Sequence, residues 1–267
     1  MSFPLADYHM HTRFSCDAED TMEAMCQSAL DHGLDEIAFT EHFEGHPRTD
    51  FLGFYQPEAY FVELERCRAL FDGQLRIRAG IEVGDPHRFP DLIASVVQSW
   101  PYDFVLGSAH WIADETPFGI PFYQQHEADW TYSGYFREIV RLADADHFDV
   151  MAHIDMVKRQ GVGFWGPFDP SGYSDVLRET LSKLIARGKG IEINTSGWRN
   201  SAREPCPALT VLRWYAELGG EILTIGSDCH RVAHVALRRE DALAMAREAG
   251  LRWLTTFDQR RPIHHLL

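Results

Sequence analysis

Along this chain short β-like runs alternate with segments of helical spacing. The β-like runs are PLADYHM, EIAFTEH, RIRAGIEV, DFVLGSAH, DVMAHID, GIEINTS and ILTIGSD, with a weaker eighth, RWLTTF, near the end. Between them lie DTMEAMCQSALDHG, PEAYFVELERCRALF, YFREIVRLAD, DVLRETLSKLIARG, PALTVLRWYAELGG and DALAMAREAG. In the first of these, Met22, Met25, Ala29 and Leu30 fall on one face of a helix and Gly33 supplies a stop. Alternation of this kind predicts a parallel sheet, because a crossover helix is what brings the chain back to start the next strand in the same direction. Seven or eight such units predict a closed α/β barrel.

The 267 residues fit one barrel domain spanning 1–267, and no charge run, low-complexity segment or composition break marks a second. Two connections are longer than barrel loops usually are: WIADETPFGIPFYQQHEADW and MVKRQGVGFWGPFDPSGY. Glycine, proline and aromatics crowd both, as in ordered binding loops. Acidic residues outnumber basic ones 40 to 25, for a net charge of −15. That field repels polyanions, so no nucleic-acid partner is expected, while a small anionic substrate answers to the local charge of its pocket. Five scattered cysteines without a C-x-x-C pair fit free thiols in a reducing compartment. With no amino-terminal signal pattern and no run of about 18 apolar residues, no membrane partner is expected and the location expected is the cytoplasm. The sequence specifies no oligomeric state.

The chemistry is carried by where the histidines fall. His9, His11, His42, His110, His153 and His230 stand at or just past the carboxyl ends of the β-like runs, as do Glu82 and Asp228. A lone histidine after a strand is ordinarily a satisfied polar group. Six in register with two carboxylates point to metal binding, because the carboxyl ends of barrel strands converge on one face. His9 and His11, and again Asp228 and His230, are spaced i, i+2, which turns two donors to one side of a strand. The remaining histidines (32, 46, 87, 126, 147, 234, 264 and 265) read as solvated, with His46 and His126 nearest to a pocket. Asp17, six residues after His11 and just before the first helix, reads equally as a helix N-cap or a ligand.

Taken together, DYHMHT, AFTEH, GIEVG, GSAH, AHID and GSDCH resemble, in this order, the motifs of the PHP (polymerase and histidinol phosphatase) superfamily. INTSGWR resembles its monofunctional histidinol-phosphatase branch. The resemblance implies a distorted (β/α)7 TIM-like barrel with a di- or trinuclear metal site at the carboxyl ends of the strands. It implies that His9, His11, Glu82 and Asp228 hold one metal. Glu82 would bridge to a second held by His110 and His153, and a third would take Asp17, His42 and His230. Many relatives carry histidine where Asp17 stands. Nitrogen and oxygen donors suit two or three divalent transition ions, whether zinc, manganese or iron.

A phosphomonoester dianion repels nucleophiles; clustered metals create hydroxide at neutral pH and neutralise the phosphoryl oxygens. Arginine complements such a site by matching phosphate bidentately. Arg159 and Arg199 follow strand ends, and the resemblance places phosphate contacts at both; Lys158 is a weaker candidate. The expected activity is hydrolysis of the phosphomonoester L-histidinol phosphate to L-histidinol and phosphate, in histidine biosynthesis. Attack by a metal-bridging hydroxide is expected, with catalytic roles for Asp228, Glu82 and His230. The rivals are a phosphoesterase acting on a small nucleotide and a barrel amidohydrolase, which has no need of paired arginines. The histidinol moiety would welcome acidic or aromatic neighbours, for which the long loops offer Asp114, Glu115, Phe164 and Trp165. Cys229, between Asp228 and His230, is expected to point away from the cluster.

Overall fold

A computed structural model describes residues 4–267. Seven strands form one sheet: β1 (Ala6–Met10), β2 (Glu36–Phe43), β3 (Arg76–Gly84), β4 (Phe104–Ser108), β5 (Val150–Met151), β6 (Gly190–Asn194) and β7 (Leu223–Gly226). They lie in sequence order and every neighbouring pair is parallel. A single parallel bridge, Met10 to Cys229, joins the ends of the sheet, so the barrel is nearly closed rather than fully laddered. The expected seven-stranded TIM-like barrel is the one found.

Helices α1 (Met22–Asp31), α2 (Pro57–Leu70), α3 (Pro90–Ser99), α4 (Ile120–Gln125), α5 (Ala128–Ala143), α6 (Lys158–Trp165), α7 (Ser174–Ala186), α8 (Leu209–Glu217) and α9 (Arg239–Glu248) occupy the connections. The buried residues of α1 are Met22, Met25, Cys26 and Ala29. Leu30 is only half-buried. Two of the helices, α4 and α6, fill the long connections after β4 and β5. No helix of the described residues is long and apolar enough to cross a membrane.

The weak eighth run does form a strand, but outside the barrel. There β8 (Trp253–Asp258) pairs antiparallel with β9 (Arg261–Leu266). Phe257 of this hairpin packs with Ala6, Tyr8, Ala38, Phe104, Leu106, Val150 and Ala152, filling the barrel interior at the end where the strands begin. Its ring lies 4.9 Å from that of Phe104, and its N–H donates to the Tyr8 hydroxyl at 2.8 Å. Burying these rings removes apolar surface from water and leaves the opposite end of the barrel free for polar groups. The larger hydrophobic cluster lies between helices and sheet and contains Cys229, which packs there as expected.

Candidate metal centre

All eight strand-end donors meet at the carboxyl face of the barrel. His9 and His11 ring centroids are 5.0 Å apart. The Nε2 atom of His9 is 3.3 Å from Glu82 Oε2 and 3.7 Å from Asp228 Oδ1. His11 Nε2 lies 3.6 Å from each of the same two oxygens. On the other side of the Glu82 carboxylate, Oε1 is 3.0 Å from His153 Nε2 and 3.4 Å from His110 Nε2. Asp17 comes within 3.6 Å of His42 Nε2 and 3.2 Å of His230 Nε2, and those two nitrogens are 3.4 Å apart. The choice left open for Asp17 is resolved against the cap, because Thr21 caps α1 by accepting from the Ala24 N–H.

Donors bonded to one ion at about 2.1 Å in tetrahedral array are separated by about 3.4 Å, which is the spacing seen in each of the three groups. Buried Nε2 atoms of His9 and His11, His42 Nδ1 and Glu82 Oε2 make no hydrogen bond. Buried polar atoms without a partner are costly, so their convergence fits a cation. The residues present therefore suit a cluster of divalent ions.

The outer ring nitrogens explain why these edges face inward. His9 Nδ1 pairs with Glu192 Oε1 at 2.7 Å and His110 Nδ1 with Glu44 Oε1 at 2.7 Å. His11 Nδ1 meets Ser15 Oγ at 3.1 Å, and Ser15 donates to buried Glu41 at 2.6 Å. His230 Nδ1 is 3.1 Å from the Asp228 carbonyl. A ring that donates through Nδ1 presents the Nε2 lone pair to a metal. The sequence reading missed Glu44, Glu192, Ser15 and Glu41. Glu44 stands two residues beyond His42, and Glu192 is a lone carboxylate between isoleucines in GIEIN; both patterns were available to find them.

Electrostatics at the centre favour positive charge. Burial opposes protonation of His9, yet Glu192, Glu82 and Asp228 raise it well above its usual value. Burial likewise opposes it at His110, where Glu44 and Glu82 prevail and lift it to about 10. Burial would raise Glu82 and Asp228, but His9 and its neighbours hold both well below the carboxylate range. Six clustered imidazoles cannot all be protonated together: burial, with His42 and His230 beside it, pushes His11 well down. Metal ions answer the same carboxylate field without that conflict.

A cavity of about 370 Å³ opens over this cluster, lined also by Arg159, Arg199, Ser196 and Cys16. Arg159 Nη1 donates to Asp228 Oδ2 at 2.7 Å and to Ser196 Oγ at 2.8 Å. Arg199 donates from its two Nη atoms to the carbonyls of Ser227 and Asp228, both at 2.8 Å, bracing a turn in which Asp228 has φ 52°.

Several expectations are corrected. Lys158 is fully buried and faces Asp155 at 2.9 Å and Glu204 at 3.1 Å, away from the cavity. Asp114, Glu115, Phe164 and Trp165 do not line it either. Asp114 faces His46, Glu115 binds His126, and Phe164 and Trp165 pack on Tyr123. The cavity is lined instead by Arg48, Asp50, Phe51, Thr116 and Phe118. His46 is not solvated but buried and stacked on Trp111 at 3.7 Å, and His87 pairs with Glu138 at 2.9 Å.

The PHP domain family matches residues 7–196. A histidinol-phosphatase of Lactococcus lactis subsp. lactis is 32% identical over 261 residues, covering 94% of this chain and 93% of its own length. One from Bacillus subtilis is 24% identical over 268 residues, covering 88% and 96% respectively. The crystal structure of a histidinol phosphate phosphatase from Lactococcus lactis, complexed with zinc, L-histidinol and phosphate, matches with a TM-score of 0.90. That match is 29% identical in sequence and covers 98% of this chain and 100% of the other. This chain belongs to the PHP domain family, on the histidinol-phosphatase side of it.

Proposed function

We propose that this protein is a metal-dependent phosphomonoesterase of the cytoplasm that hydrolyses L-histidinol phosphate to L-histidinol and phosphate, acting as a single barrel domain. The observation that carries the reading is the joining of overlapping histidine and carboxylate donor groups to Arg159 and Arg199 around one small cavity. Support for the substrate comes from the relatives' names and from the histidinol and phosphate bound in the Lactococcus lactis structure. Zinc is the metal in that structure, and the nitrogen and oxygen donors here suit it.

His9, His11, Glu82 and Asp228 would hold one ion, Glu82, His110 and His153 a second, and Asp17, His42 and His230 a third. Ions bound there supply a nucleophile from water at neutral pH and neutralise phosphoryl oxygens. The protein's own groups do the rest. Arg159 uses only Nη1 on Asp228 and Ser196, which leaves its remaining N–H groups to grip phosphate. Arg199 holds the turn that aims Asp228 and adds positive charge beside it. Asp228 and His230, both lining the cavity, are the groups placed to pass a proton to the departing alkoxide. Cys16 is a poor nucleophile, its thiol pushed up to about 11 chiefly by burial. Ser196 lies 3.1 Å from Asp228, but that carboxylate is already engaged by His9, His11 and Arg159.

The test is a steady-state comparison of histidinol phosphate, nucleoside monophosphates and a dihydroorotate-like cyclic amide, with and without a chelator. Histidinol phosphate should be preferred by kcat/KM, and its turnover should vanish on chelation. Preference for a nucleotide or for the amide would transfer the site to one of the rival classes.

A further inference from the structure

Below the candidate ligands lies a carboxylate in an unusual place. Glu192 sits within β6 between Ile191 and Ile193 and is 1% exposed. Barrel positions of this kind ordinarily take branched apolar side chains, and an ionised group there destabilises the fold unless its lone pairs are satisfied. Glu192 is satisfied by groups from two different parts of the cluster. Oε1 meets His9 Nδ1 at 2.7 Å. Oε2 accepts the backbone N–H of His153 at 3.0 Å and Asn194 Nδ2 at 3.0 Å.

The backbone around it is shaped to permit both contacts. His153 has φ 24°, in the left-handed region that non-glycine residues rarely occupy, so its turn needs an outside partner to hold it. On the next strand Gly226 leaves room for the pair: a Cβ there would stand 2.1 Å from Glu192 Oε1 and 2.3 Å from His9 Cβ. The strand is stripped to backbone where the carboxylate and imidazole pass.

We propose that Glu192 is a positioning residue that serves two metal sub-sites at once, a reading that rests on His9 and His153 being ligands of different ions. One oxygen fixes the His9 ring and its tautomer, so that Nε2 faces Glu82 and Asp228. The other anchors the strained turn that directs His153 at the opposite oxygen of Glu82. Glu192 touches neither substrate nor the reacting atoms. Its counterpart Glu44 lies 2.7 Å from the Nδ1 of His110 and 3.9 Å from that of His42 but does not touch His9, and so serves as the comparison.

The experiment titrates metal-free protein with cobalt(II), following the visible absorption of the bound ion, for wild type, E192Q, E192A and E44Q. Outer-shell partners of ligating histidines are typically worth about 10- to 100-fold in metal affinity. An amide offers only one acceptor oxygen, so E192Q must lose one of the two contacts and E192A loses both. E192A should weaken two classes of site by about that factor and change both spectra, E192Q at least one, and E44Q should spare the class containing His9. Should E192A fail to fold, the isosteric E192Q carries the test. Wild-type affinity and spectra in E192Q would overturn the proposal, as would an E192A that alters one class alone. Wild-type protein that binds fewer than two cobalt ions would remove the ligand reading itself, and the proposal with it.

Discussion

Arg159→Ala separates substrate binding from metal binding more cleanly than any other change at this centre. The Arg159 side chain is 17% exposed and spends one nitrogen on Asp228 and Ser196. Its loss has two consequences of different kinds. On the proposed reading the phosphate loses a charge-assisted contact, about 1.5–3 kcal/mol, which lowers kcat/KM by roughly 10- to 100-fold. Asp228 Oδ2 keeps only Ser196 and Asn194, at 3.1 and 3.3 Å. The lost charge-assisted hydrogen bond costs about 1.5–3 kcal/mol of stability, a fall of several degrees in Tm for a chain of this size. Arg159→Lys should recover little of the activity, because an ammonium cannot reproduce the planar fork. The assay measures kcat/KM on histidinol phosphate with metal content determined on the same samples. Metal content should stay at the wild-type level. If kcat/KM remained within about threefold of wild type, Arg159 would not be a phosphate ligand. If activity and metal content fell in proportion, the arginine would act through Asp228 instead.

Glu82→Ala should be the most damaging substitution among the proposed ligands, since its two oxygens face His9, His42 and His153; elemental analysis should show more than one equivalent of metal lost per chain. A single in-line displacement predicts inversion at phosphorus with an isotopically chiral substrate. Retention would require a phosphoenzyme, and Ser196 would be the first residue to test. Away from the site, burial would raise the Glu138 carboxyl, but hydrogen bonds from His87 and Arg88 hold it down to about 2, against 4.5 for a free side chain. A depressed carboxyl stabilises the fold above its unfolded pKa and loses that contribution as pH falls toward the folded value. Glu138→Gln should therefore lower stability at neutral pH by about 1–3 kcal/mol in urea unfolding, with the difference shrinking as pH falls from about 4.5 toward 2. A pH-independent difference would contradict the ion-pair account.

The barrel and its donors could be read from the sequence because both are periodic. Strand-helix alternation repeats as a local pattern, and DYHM, GIEV and GSDCH put donors at the same point of each repeat, which barrel closure then converts into proximity. Local pattern could not place RWLTTF, since a strand in a barrel and a strand in a hairpin share one alternation; only the partner strand, Arg261–Leu266, decided it. Nor could it place Asp17, because a cap and a ligand ask for the same residue type, and Thr21 took the cap. Lys158 and Arg159 are adjacent cations in sequence, yet a single residue step along the backbone sends the first to Asp155 and Glu204 and the second to Asp228. The supporting carboxylates Glu44 and Glu192 owe their roles to contacts across 66 and 183 residues. Sequence determined which donor types stand at strand ends; tertiary structure decided what lies behind each donor, because hydrogen bonds between distant strands leave no periodic trace along the chain.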